Sequence, residues 1–349
     1  MNTTEEFAGQ VVTDMAATLS GVMTSLGDKL GLYKAMAFAG PLTPDVLAKK
    51  LGLAERYVRE WLNNQVAGLY LIYNKLDNTY ELPDAHVPVL ADPDSPVFLV
   101  PALEVAASLW HDEEKLLSVF KTGEGIAWGE HNHRLFCGSE SLFRPGYKSF
   151  LVDNWLAAMD GMVEKLNAGA LVADVGCGHG ASTIVMANDF PNSRFYGFDS
   201  HADSIAMAES RAAGEGTQSN TIFETIDAQS YPTIGYDLIC FMDCLHDMGD
   251  PVGAARHALN SLKAGGRLLL VEPAAGDGVE DNINPVSRLY YAASTAVCTP
   301  CSLSQDVGLA LGAQAGQQRL SEVLEEAGFE GVKRVAETPF NIVIEATRP

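Results

Sequence analysis

Positive charge is what this chain of 349 residues has least of: 23 Lys and Arg face 45 Asp and Glu, for a formal net charge of −22. Such a surface repels phosphate backbones and anionic lipid head groups, which disfavours nucleic acid and membrane surfaces as bulk partners. Long apolar runs are missing too, since no stretch approaches the roughly 18 residues that a membrane span needs. The opening Met1-Asn2-Thr3-Thr4-Glu5-Glu6 has neither the basic nor the apolar segment of an export signal, so a cytoplasmic location is the expectation. Cysteine is sparse and scattered, 6 in all, which favours free thiols over a disulfide framework. Cys298 and Cys301 form one CxxC, but no second CxxC or paired-histidine spacing supplies the four ligands of a structural zinc, and no metal is expected. Internal repeats and low-complexity tracts are also absent.

What remains is an ordinary globular composition, 47% hydrophobic and 19% charged, at a length that suits two domains of roughly 100 to 200 residues each. Val11, Val12, Met15, Leu19, Val22, Met23, Leu26 and Leu30 recur at helical spacing and predict one or two amphipathic helices over residues 7–40. Thr43-Pro44 caps a helix that Gly52 breaks. A second helix runs from Ala54 to Gly68, and two short strands follow around Tyr70 to Tyr73 and Thr79 to Leu82, turning at Asp77-Asn78. That is the outline of a winged helix-turn-helix. Its usual use is DNA reading, yet the second helix balances Glu55 and Glu60 against Arg56 and Arg59, and residues 1–100 hold 7 Lys and Arg against 12 Asp and Glu. Dimerisation or a pocket wall is the better expectation for this module.

Residues 83–100, with Pro83, Pro88, Pro93 and Pro96, read as a linker. Helical spacing returns over 101–165, interrupted from Gly123 to Tyr147 by what reads as an irregular stretch crowded with Trp128, His131, His133, Phe136, Phe143, Arg144 and Tyr147. Aromatics and histidines in a loop are candidate ligand contacts, with packing as the alternative. From residue 170 the pattern becomes α/β. Strands at Leu171 to Val175, Arg194 to Phe198, Thr221 to Thr225, Tyr236 to Phe241 and Arg267 to Val271 alternate with helix-length segments, which predicts a parallel sheet with helices on both faces. Gly331 to Ala336 and Phe340 to Ala346 are joined by too short a turn for anything but an antiparallel pair.

The first of these strands ends in Val172-Ala173-Asp174-Val175-Gly176-Cys177-Gly178-His179-Gly180, where glycines let the backbone approach a ligand and a helix N-terminus offers free N–H donors. Gly176, Gly178 and Ala181 also fit the dinucleotide fingerprint, so a nicotinamide oxidoreductase has to be weighed. Asp174 precedes the loop, placed to hold it or to meet a cationic ligand. Asp199, followed by Ser200, ends the second strand where it can accept ribose hydroxyls, and Asp227-Ala228 follows the third within reach of an adenine amino group. An acid after each of three strands suits a nucleoside without phosphates, which favours S-adenosylmethionine over a dinucleotide.

On these motifs, together with Tyr236-Asp237-Leu238-Ile239, Asp243, Leu262-Lys263-Ala264-Gly265-Gly266-Arg267 and the terminal pair, residues 170–349 resemble the class I S-adenosylmethionine-dependent methyltransferases. The whole chain is similar to bacterial members with an amino-terminal winged-helix dimerisation domain. The resemblance implies a Rossmann-like seven-stranded sheet whose last strand is antiparallel, and three segments: a winged-helix-like dimerisation domain at 1–100, a helical linker and pocket segment at 101–168, and the cofactor domain at 169–349. Asp174, Gly176, Gly178, Asp199, Ser200, Asp227, Ala228 and Asp243 are the implied cofactor contacts. Asp243-Cys244-Leu245-His246-Asp247-Met248-Gly249-Asp250 resembles the Leu-His-Asp-Trp-x-Asp segment of plant-type small-molecule O-methyltransferases, with Met248 in place of the tryptophan. By that resemblance His246 is the general base, an imidazole titrating near neutral pH, and Glu272 is the carboxylate that orients it. Acceptor contacts are expected from Trp128, Phe143, Arg144 and Tyr147, and from Tyr290 and Tyr291 beside Arg288 in the long insertion from Gly276 to Gly316. The implied activity is methyl transfer to a small molecule by a homodimer, at oxygen or, as alternative, at sulfur. A ligand-sensing winged-helix regulator is the reading from a different class.

Overall fold

A computed structural model of the protein describes residues 3–349. The chain divides into two compact units, one built from residues up to Ala107 with Cys137–Gly146, the other from Ser108–Phe136 with Tyr147–Pro349.

The amino-terminal unit opens with the helix Thr4–Lys29, fixed at its start by reciprocal bonds: Glu6 N donates to Thr3 Oγ1 at 3.1 Å and Thr3 N to Glu6 Oε2 at 3.2 Å. The helix Leu32–Met36 follows. The helix Pro44–Leu51 starts on the Thr43 side chain, which accepts from Val46 N, and stops at Gly52 with φ of 68°. The helix Glu55–Ala67 and the antiparallel pair β1 (Ile72–Asn74) and β2 (Thr79–Glu81) complete the winged helix-turn-helix. Two features differ from the sequence pattern. The long helix keeps Val12, Met15, Leu19 and Val22 exposed rather than in a core. The stretch 83–100 is no linker, because Val87, Leu90, Phe98 and Val100 are buried in the core of this unit with Tyr33 and Leu62. Four apolar side chains in so short a segment outweigh its prolines.

The carboxyl-terminal unit is a seven-stranded sheet. Its strands are β3 (Leu171–Val175), β4 (Arg194–Asp199), β5 (Thr221–Thr225), β6 (Tyr236–Met242), β7 (Leu262–Pro273), β8 (Glu330–Glu337) and β9 (Asn341–Thr347), in the order β5-β4-β3-β6-β7-β9-β8. The first five are mutually parallel, and β9 inserts antiparallel between β7 and β8. Central strands carry near-continuous apolar runs because both faces are covered: every residue of β6 is buried. Asp237, on β6, is tied by Leu171 N at 3.0 Å and Lys263 Nζ at 2.8 Å, and these partners hold its carboxyl below the usual range against the opposing effect of burial. The stretch from Gly123 to Tyr147 is irregular only over residues 123–127 and 131–133: Trp128–Glu130 is a single turn, and Arg134–Phe150 is a helix of 17 residues that contains Pro145. The long insertion is helical as well, with Pro285–Ala293, a π-helical turn at Ser294–Cys298, and Thr299–Leu303. No helix among the described residues is long and apolar enough to cross a membrane.

Close packing on the sheet gives a stability test. A Cβ on Gly197 would lie 2.4 Å from Phe223 Cδ1 and 3.0 Å from Cys177 Sγ, whereas one on Gly214 meets nothing within 4 Å. Gly197→Ala is expected to destabilise by about 1–3 kcal/mol and to lower the melting temperature by roughly 3–10 °C. Gly214→Ala, near the end of the helix Ala202–Glu215, should raise it slightly. Thermal melts of both variants decide, and equal effects would refute this packing.

Candidate active site

The strand order reverses between β3 and β6, because the chain runs outward from β3 through β4 and β5 before returning to the other side of β3. Such a reversal opens a crevice outside the carboxyl ends of the strands. Four carboxylates stand there on four adjacent strands or just past their ends: Asp199 (β4), Asp174 (β3), Asp243 (after β6) and Glu272 (β7).

The loop after β3 is shaped by its glycines. Gly176 adopts φ of 72°, and a Cβ there would lie 2.6 Å from Cys244 Sγ, so no other residue fits. Gly176 N and Cys177 N both donate to Phe198 O, at 2.8 and 3.0 Å. Gly178 N donates to Asp199 Oδ2 at 2.8 Å, and open space lies where its Cβ would be. His201 N donates to Asp199 Oδ1 at 2.8 Å. Each oxygen of Asp199 thus fixes a backbone segment at the crevice, with Ser200 exposed between them. Asp174 holds the helix Ala181–Asp189 through Oδ2, which accepts from Ser182 Oγ and Thr183 Oγ1 at 2.6 Å each. Its Oδ1 is buried without a hydrogen-bond partner among the described residues. Burial pushes this carboxyl up to about 6 in spite of the two hydroxyls. Asp227 is exposed past β5, its Oδ1 taken by Gln229 N at 2.8 Å, and Ala228 is half-buried beside it.

Past β6, Asp243 turns the chain with φ of 52°. Tyr147 Oη donates to its Oδ2 at 3.0 Å and Asn341 Nδ2 to its Oδ1 at 2.8 Å, while burial and the nearby Glu272 push its carboxyl up to about 7. His246 follows on the turn Leu245–Asp247 and is only 4% exposed. Glu272 Oε1 accepts from Leu245 N at 2.9 Å and His246 N at 3.3 Å, and Oε2 meets His246 Nδ1. The other ring nitrogen, Nε2, faces Asp247 Oδ1 at 3.3 Å. Burial alone would lower this imidazole, but Glu272 and Asp247 outweigh it and hold the ring well above its ordinary value. That direction departs from the near-neutral titration of an unperturbed imidazole.

The aromatic candidates separate. Trp128 packs on Phe136 with ring centroids 5.3 Å apart, and Phe136 on His201 at 4.8 Å, which puts Trp128 beside the end of β4. Tyr147 is tied to Asp243, and Tyr290 is buried with its hydroxyl donating to Phe340 O at 2.8 Å. Tyr291 is exposed. Phe143 and Arg144 belong to the amino-terminal unit, where Arg144 Nε meets Glu140 Oε1 at 3.2 Å. Asn341, His201 and Cys298 were not singled out by sequence reasoning for this site. Asn341 and Cys298 arrive from far along the chain, and only the fold shows their proximity.

Both units resemble known proteins. Residues 17–92 match the family model described as Rv2258c-like winged HTH domain, and residues 166–328 the one described as methyltransferase domain. A 27-O-demethylrifamycin SV methyltransferase of Amycolatopsis mediterranei is 31% identical over 147 residues, 41% of this chain and 51% of that one. A 2-methyl-6-phytyl-1,4-hydroquinone methyltransferase of Synechocystis is 28% identical over 43% of this chain and 48% of its own. The chain thus spans about half the length of the curated relatives it matches. Two solved structures share the fold along nearly all of both chains. An O-methyltransferase family protein of Burkholderia thailandensis has a TM-score of 0.70 at 16% identity, covering 98% of each chain. Human N-acetylserotonin methyltransferase, solved with S-adenosylmethionine, has 0.69 at 18% identity, covering 100% of this chain and 99% of that one. The chain joins a winged helix-turn-helix domain of the Rv2258c-like type to a methyltransferase domain.

Proposed function

We propose that the protein is an S-adenosylmethionine-dependent methyltransferase that acts on a small-molecule hydroxyl, with His246 as general base. The observation that carries this reading is the reversal of the sheet. A glycine loop that leaves open space at Gly178 meets a buried carboxylate, Asp174, whose Oδ1 has no hydrogen-bond partner among the described residues. An unpaired acceptor in a dry site fits a nucleoside carrying an ammonium and a sulfonium, and it opposes the pyrophosphate of a dinucleotide. When bound, that nucleoside supplies an electrophilic methyl group.

The chain's own residues do the rest. Asp199 fixes the glycine loop and has lone pairs left for ribose hydroxyls, and Asp227-Ala228 stands past β5 for the adenine. Glu272 orients His246 through Nδ1, which leaves Nε2 as the atom that takes a proton from the acceptor. Glu272 and Asp247 beside the ring make the neutral imidazole a stronger proton acceptor. A hydroxyl is harder to ionise than a thiol and gains more from such a base. Sulfur is the second possibility.

A second copy of the chain is the partner we assign to the helix Thr4–Lys29, since Val12, Met15, Leu19, Val22 and Leu26 repeat in alternating steps of three and four on one face and are exposed. Against a DNA-reading role, both arginines of the helix Glu55–Ala67 are spent on neighbours, Arg59 on Glu55 at 2.6 Å and Arg56 on Glu60. Location in the cytoplasm completes the reading.

Calorimetry with S-adenosylmethionine and its demethylated product tests the proposal: both should bind, and no heat at millimolar ligand would end it. Asp199→Ala should weaken that binding at least tenfold. His246→Ala should lower turnover by roughly 10²–10⁴ while leaving cofactor affinity nearly intact; equal turnover removes the base assignment. Because the folded chain holds the proton of Asp174 more tightly, from 3.8 up to about 6, its contribution to stability is full below the unfolded value and is lost as pH rises through about 6. Asp174→Asn should therefore gain on the parent by up to about 3 kcal/mol between pH 4 and pH 7, and melts showing a pH-independent difference would contradict it. Leu19→Glu should turn a dimer into a monomer in sedimentation, and a parent that is already monomeric would exclude the assigned partner.

A further inference from the structure

The imidazole of His246 is the centre of a second arrangement. Its Nδ1 is engaged by Glu272, and its Nε2 points toward Asp247 and the thiol of Cys298. One donor atom from each of His246, Asp247 and Cys298 lies within 4.8 Å of the other two. His246 and Cys298 are buried, at 4% and 6% exposure, and so is the Oδ1 atom of Asp247.

The segments that carry these donors are bolted together. Ser302 Oγ donates to Met248 O at 2.8 Å, Gln305 Nε2 to Asp247 O at 3.0 Å, and Gly249 N to Gln305 Oε1 at 3.0 Å. Cys298 closes a π-helical turn, a local distortion that recurs at functional sites. A carboxylate on one nitrogen of a histidine, with the other nitrogen turned toward a thiol and a second carboxylate, is the arrangement by which proteins orient an imidazole toward a metal.

We propose that His246, Asp247 and Cys298 form a site for a zinc-like divalent cation. The donors are one nitrogen, one sulfur and one oxygen, which suits zinc or cobalt(II) and is too soft for magnesium or calcium. Binding releases the Cys298 thiol proton, and the sulfur lone pair and the Nε2 lone pair of the neutral His246 ring, whose Nδ1 is engaged by Glu272, go to the cation. Thiolate and carboxylate then balance its two charges in a buried setting, and the fourth position stays open to water. Occupancy takes Nε2 out of proton transfer, so the cation inhibits methyl transfer; this consequence rests on the function proposed above, whereas the binding itself does not.

The test uses the full chain, stripped with a chelator and titrated with cobalt(II) in the absence of acceptor. One equivalent should produce the near-ultraviolet band of thiolate-to-cobalt charge transfer. Cys298→Ser should abolish the band and weaken cobalt binding at least tenfold, and Asp247→Asn should weaken it while the band remains. Cys137→Ser, an exposed thiol of the other unit, should change neither. Matching circular dichroism and melts establish that the variants are folded. Absence of the band in the parent, or its survival in Cys298→Ser, overturns the site. Zinc that binds through Cys298 yet leaves methyl transfer unchanged overturns the inhibition. Failure of the metal-free chain to bind S-adenosylmethionine instead defeats the methyltransferase reading and leaves the cation site standing.

Discussion

Accumulated negative charge at one sheet edge is the constraint on which the rest of this site depends. Asp199, Asp174, Asp243 and Glu272 stand at the ends of four adjacent strands in a largely buried crevice. Carboxylates so placed repel one another and lose their hydration, so some hold protons or a cation must join them. Burial makes a proton easier to hold at Asp174 and Asp243, whose carboxyls are pushed up to about 6 and about 7. The second outcome is prepared at His246, which lies between Glu272 and Asp247 and whose proton affinity they raise. A sulfonium nucleoside and a divalent cation are two further ways to meet the same demand, one at Asp174 and one at Asp247. Backbone amides meet what is left: Gly178 and His201 bind Asp199, and Leu245 and His246 bind Glu272.

Much of the fold could be read from the sequence because its signals are local. The strands Leu171–Val175 and Thr221–Thr225 follow from short apolar runs bounded by turn residues, and the antiparallel end from a turn too short for a crossover. The helix Pro44–Leu51 announces itself through Thr43, Pro44 and Gly52. Where the reading failed, tertiary burial overrode local propensity. Gly138, Pro145 and Gly146 argue against a helix over Arg134–Phe150, yet Leu135 and Tyr147 are buried along it and stabilise it. Likewise, the prolines of 83–100 conceal a segment that is part of a core.

The site divides along the same line. Its glycine loop and the acids after the strands are local motifs, so the sequence displays them. Their company is not local. Asn341 reaches Asp243 because β9 inserts beside β7, and the sequence carries no mark of that pairing. Cys298 gives the clearest case. Read along the chain, its CxxC lacks the partners of a zinc site, and no metal is expected; in the fold, His246 and Asp247, from a turn far away in the chain, lie beside it.

The same charge balance bears on the choice between oxygen and sulfur as the accepting atom. A thiol ionises at about 8.5, close enough to neutrality that a thiolate needs little help to form, whereas a phenol at about 10 and an alcohol higher still need a base whose own proton affinity has been raised. Raising an imidazole requires carboxylates on it, and placing two buried carboxylates against one ring is destabilising unless the ring is charged. A fold that keeps Glu272 and Asp247 both directed at His246 raises the proton affinity of that ring. On the function proposed above, a raised proton affinity serves a hydroxyl acceptor more than a thiol, because the hydroxyl's proton is harder to remove.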